Sequence, residues 1–90
     1  MNHVDPELLN QLRQLLVEIT GNDPEEVQMS AHLEDDLGMN LDEDLPRLVD
    51  RINAEFDIEL DSKVVFEELN DAGETVASLL QLIRDELELG

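Results

Sequence analysis

Apolar residues in this chain recur at helical spacing in separate stretches, with polar and acidic residues between them. Leu8, Leu9, Leu12, Leu15, Leu16 and Ile19 fall on one face, predicting a first helix. Asp5 and Pro6 read as its N-cap and first helical position, and Gly21 with the following "NDPEE" ends it. Leu45, Leu48, Val49, Ile52 and Phe56 make a second stripe, and Val76, Leu79, Leu80, Ile83 and Leu87 a last one behind the turn "NDAGET". Residues 62–69, "SKVVFEEL", fit helix or strand by pattern because Val64, Val65 and Phe66 favour strands; a short helix is the reading adopted. From about residue 20 to 42 the chain is polar and turn-rich, with Val27, Met29, Leu33 and Leu37 too irregular for a long helix. The expected fold is therefore all-α: a small four-helix bundle over residues 1–90, one domain, with a long loop between helices 1 and 2 pinned by a few apolar anchors.

Composition supports folding but narrows the partners. With 41% apolar residues, 90 residues build one modest core. The balance of 24 Asp and Glu against five Lys and Arg gives a formal charge of −19, which repels nucleic acid and anionic membrane surfaces. Charged partners should then be proteins with basic surface patches. Crowded carboxylates should also strain the compact state, a strain that mild acid or divalent cations relieve. Cysteine is absent, which excludes disulfides, thiolate metal sites and a cysteine nucleophile. No basic leader followed by an apolar stretch and no run approaching about 18 apolar residues is present, so a cytoplasmic protein without membrane insertion is expected.

Chemistry of the catalytic kind is not legible. His3 and His32 are isolated and read as surface residues, and no nucleophile, base and orienting group stand at a recognisable spacing. No enzyme and no catalytic residue are expected. The acidic residues 34–36 and 42–44 invite a calcium reading, but putting Gly38 at the sixth position of an EF-hand loop puts Leu33 at its first. No dedicated metal site is assigned, although an acidic ion-binding protein stays as a third reading.

The order of landmarks says more. "DPEEV" after helix 1, "LEDDLG" in the long loop, a leucine-rich helix ending in "EFDIEL" and a last helix starting near "ETV" together resemble the acyl carrier protein family over nearly the whole chain. The most specific part is "LEDDLG" followed by "EF", with Phe56 eighteen positions after Gly38. The resemblance implies a serine just after the loop glycine that carries 4′-phosphopantetheine as a phosphodiester. Counting three residues on from Gly38 gives Leu41, and counting fourteen back from Phe56 gives Asp42, so neither register offers a hydroxyl. An Asp42 carboxylate would form an acyl-phosphate mixed anhydride, which water cleaves readily. No cofactor is expected unless an unusual attachment operates. Ser62, in "DSK", looks like the attachment motif but lies after "EFDIEL", and reads instead as the cap of the short helix.

Two further readings concern the surface that the resemblance marks for recognition: Asp36, Leu37, Gly38, Asp44, Arg47 and Arg51. Asp42, Glu43 and Asp44 suit the positive end of helix 2, with Asp42 or Asp44 as its cap; Pro46 favours Asp44. Arg47 and Arg51 depart from the acidic run that carrier proteins present there. They read as balanced by Glu43 and Glu55 in i,i+4 pairs, or as a change of partner specificity. The functional expectation is a monomeric, acidic protein-binding or regulatory module that has the carrier shape and lacks the accepting serine. Its partners would be related to enzymes that act on carrier proteins. The alternative is a working carrier in fatty-acid, polyketide or related synthesis with a variant attachment site.

Overall fold

The computed structural model describes residues 6–89, which form four α-helices and one 3-10 turn, with no strand among them. Helix α1 is Pro6–Thr20, the 3-10 turn Pro24–Glu26, α2 Leu41–Phe56, α3 Ser62–Ala72 and α4 Val76–Leu89. The small four-helix bundle predicted from the apolar spacing is present. The ambiguous stretch after residue 61 is helical, longer than expected, because Val65 and Leu69 stand one turn apart and both enter the core. Asp5, expected as the cap of α1, and His3 lie outside the described residues.

Leu8, Leu12, Leu15 and Leu16 of α1 bury against Leu45, Leu48, Val49 and Ile52 of α2 and Val76, Leu79, Leu80 and Ile83 of α4 in one core cluster. Each such leucine or isoleucine removed from water contributes about 1.5–3 kcal/mol before chain entropy is counted. Phe56 was expected in this core and is only half-buried, since it occupies the last turn of α2 where the chain leaves the bundle. Leu87 likewise stays exposed near the end of α4.

The connection from α1 to α2 is long, as expected, but it is part of the core. Val27, Ala31, Leu33, Leu37 and Met39 are all buried, so the chain supplies a wall of the bundle from a segment with little helix. Burial of irregular backbone needs partners for its polar groups. Several come from the start of α4: Leu33 N donates to the Glu74 carbonyl at 2.8 Å, Val76 N to Ala31 O at 3.0 Å and Ala77 N to Met29 O at 2.9 Å. Side chains supply the others. Arg13 Nε on α1 donates to the Val27 carbonyl at 3.0 Å, and Asn22 Nδ2 to the Leu37 carbonyl at 2.8 Å.

Helix ends are fixed by short polar residues. Asp57 closes α2 in the left-handed conformation, φ 56°, and Asn53 exchanges two hydrogen bonds with the Leu60 backbone, setting the link to α3. Asp61, not Ser62, caps α3, its carboxylate accepting from Lys63 N at 2.9 Å. Ser62 is the first helical residue instead, because an aspartate one position earlier has already taken the cap.

Candidate functional site

The start of α2 is where the carrier resemblance puts an attachment residue, and its first turn is tightly bonded. Asn40 is the cap: its side chain accepts from Asp42 N at 3.1 Å, and its carbonyl accepts from Glu43 N and Asp44 N. Asp44 returns a bond, its carboxylate accepting from Asn40 N at 3.0 Å. Glu34, from the loop, accepts from Leu41 N at 3.4 Å. The expectation that Asp42 or Asp44 caps this helix is therefore corrected by two and four residues respectively. Asparagine followed by a glutamate three positions later, here Glu43, is itself a start signal, so Asn40 was open to discovery from the sequence. Pro46 misled the register. It sits inside α2, where it leaves the Asp42 carbonyl without its i+4 donor and the helix continues regardless.

One consequence concerns Asp42 directly. The free amides at the start of α2 are satisfied by Asn40 and Glu34, and Asp42 is exposed, its carboxylate making no bond among the described residues. Leu41, the other register for the attachment position, is 4% exposed and belongs to the core. A side chain there points into the bundle, so Leu41 is not an accessible attachment position. Leu37, taken as part of the recognition surface, is also 4% exposed and is an interior residue. Gly38 is exposed and holds φ 76° in the turn that follows Leu37, a conformation that glycine adopts without strain.

Asp36 stands on the outer side of the loop. Its carboxylate accepts from His32 N at 2.7 Å and lies 3.4 Å from the His32 Nδ1. The backbone bond from His32 holds the Asp36 carboxyl below its usual value, with desolvation opposing and the imidazole assisting. At this residue the effect is opposite to the upward drift expected of crowded carboxylates. His32 is an exposed residue.

Neither expected arginine pair forms. Arg51 reaches across to α1 and bonds Glu18 at 2.7 Å in place of Glu55, while Arg47 has no ion pair among the described residues. Arg51 thus braces two helices, leaving Arg47 as the α2 cation without an ion pair among the described residues.

Beside Asp42 the surface opens into a cleft of about 220 Å³ between α2 and α3. Leu41, Leu45, Pro46 and Phe66 line it, with Asp42, Ser62 and Lys63 at its rim. A second, more polar hollow of about 540 Å³ adjoins it and shares Leu41, Asp42 and Phe66. Its remaining wall includes His32, Glu34, Asp35 and Glu74. Sequence reasoning missed Lys63, Phe66 and Glu74, because nothing in the spacing of α3 and α4 tells which residues face the start of α2. Among the described residues no three carboxylates or histidines are placed to hold a metal ion, and no helix is long and apolar enough to cross a membrane. No protein-family model matches the chain, and no curated protein matches it significantly.

Proposed function

We propose that this chain is a carrier-protein-like module that has lost the hydroxyl on which a prosthetic group is carried, and that it works by binding a partner protein. The observation that carries this reading is Asp42. It is exposed beside the α2–α3 cleft, at the turn where the resemblance requires a serine, and its carboxylate is not consumed in capping the helix. A carboxylate cannot hold a phosphopantetheine arm as a stable ester of phosphate. Partners with basic surface patches, including proteins related to enzymes that act on carrier proteins, fit its charge of −19.

Mass spectrometry tests this reading. Protein isolated from its own cells, and protein incubated with coenzyme A and a broad-specificity phosphopantetheinyl transferase, should both show the mass of the bare polypeptide. Quantitative gain of the arm would replace this reading with that of a working carrier.

A second reading, the working carrier with a variant attachment site, is favoured by one observation: Ser62 lines the same cleft as Asp42. If the wild type gains mass, Ser62→Ala decides whether that hydroxyl is the acceptor.

A further inference from the structure

The two hollows beside Asp42 share Leu41, Asp42 and Phe66 and so form one continuous groove across the start of α2 and one side of α3. The groove has a direction. Its apolar surface comes from Pro46 and Phe66, with the exposed Asp42 beside them where the two hollows meet; the first hollow carries Lys63 and the second Glu34, Asp35 and Glu74. Within that acidic end, Glu34 and Glu74 are occupied, Glu34 with Leu41 N and Glu74 with Glu34 N. Asp35 and the Lys63 ammonium have no ion pair or side-chain hydrogen bond among the described residues, although 24 carboxylates are available in the chain. Arg51 and Arg84, by contrast, are each paired with a glutamate.

We infer that this groove seats an amphipathic segment of a partner protein: apolar side chains on Pro46 and Phe66, a basic residue toward Asp35 and an acidic residue toward Lys63. The inference rests on the protein-binding reading and names the chemistry of the partner. Charge complementarity selects this occupant. A simple anionic lipid would satisfy Lys63 but meet Asp42 and the acidic end with its charge unscreened. A polycation without apolar residues would leave the apolar surface of the groove exposed to water. A short segment with opposite charges flanking apolar anchors satisfies all three regions, and the charges fix its placement more than its affinity.

The experiment uses the full chain as bait for a random dodecapeptide library, followed by amide shift mapping of the selected peptides. Enriched sequences should carry Leu, Ile, Phe or Met between a Lys or Arg on one side and an Asp or Glu on the other. Shifts should concentrate on residues of the groove. Lys63→Glu and Asp35→Lys alter exposed side chains without partners, so both variants should melt as the wild type does. Lys63→Glu should weaken binding about threefold or more at low salt, and a peptide with lysine in place of its acidic residue should recover it. Failure to enrich any peptide, selection by basic charge alone, or affinity untouched by both reversals would each overturn the inference. None of these outcomes changes the intact mass of the protein, so loss of the groove assignment and loss of the carrier-like reading are told apart.

Discussion

Leu33 and Glu74 are joined by a 2.8 Å hydrogen bond from the amide of the first to the carbonyl of the second, across 41 positions of sequence. The same stretch of loop buries the Leu33 side chain completely. The connection between α1 and α2 is thus fastened at once by backbone and by core. Leu33→Ala should cost about 3 kcal/mol, a large share of the roughly 5–15 kcal/mol that a small domain commands. Urea unfolding measures this, and a cost below about 0.5 kcal/mol would show that the loop does not belong to the core.

Asn40 and Asp42 should separate under mutation. Asn40→Ala removes the acceptor of Asp42 N and should lose about 1 kcal/mol, whereas Asp42→Ala should change stability by less than about 0.5 kcal/mol. Equal losses would return the capping role to Asp42.

Pro46 offers a gain. Alanine there restores a donor to the Asp42 carbonyl in the interior of α2. The flexibility it returns to the unfolded chain offsets about 0.4–1 kcal/mol of this. Thermal melting should show Pro46→Ala more stable than the wild type by about 1 kcal/mol or more. A lower melting temperature would mean that packing of the ring against the α2–α3 cleft outweighs the missing bond.

Acid should reach the loop through Asp36. Its folded carboxyl lies below the ordinary value of 3.8, so the bond to His32 N favours the ionised form. A group lowered on folding stabilises the protein above its unfolded value and loses that contribution as pH falls through the folded one. The stability difference between wild type and Asp36→Ala should therefore be level from pH 7 to about 5 and shrink below about 4. A difference that stayed constant to about pH 2 would remove the carboxylate from this role.

Restoring the hydroxyl tests the start of α2. Asp42→Ser should accept the phosphopantetheine arm better than Leu41→Ser, since position 42 is exposed and position 41 is in the core. Leu41→Ser should in addition destabilise the bundle by about 2 kcal/mol or more, because it deletes buried methyl groups and buries a hydroxyl. Arm transfer to Leu41→Ser alone would reverse the register.

How far the sequence speaks differs between helix and loop. The stripes of α1, α2 and α4 were legible because leucines at three and four spacings can bury only as helices. Phe56 broke the rule by position, at a helix end where half of each side chain faces water. In the loop, Leu37 and Leu41 looked like surface neighbours of a motif, and only the fold turns them inward. Its bonds to Glu74, Val76 and Ala77 join residues more than 40 positions apart, which no local pattern encodes. Charge pairing failed for a related reason. Arg51 had Glu55 at the favoured spacing but also α1 alongside it, and the contact with Glu18 depends on helix packing.

The fastening of the α1–α2 connection to α4 also orders events in time. Before Leu33 can meet Glu74 the intervening chain must be drawn into a closed ring, at an entropy cost that rises with the logarithm of ring length. That cost falls sharply once α2 and α3 have folded within the ring and shortened its effective contour. The connection that leads into α2 therefore closes on α4 at the least entropy cost after α2 and α3 have formed. Glu34 ties the connection into the groove itself, accepting from Leu41 N and donating its own amide to the Glu74 carboxylate, so the wall of the groove and the closure of the ring are one set of bonds.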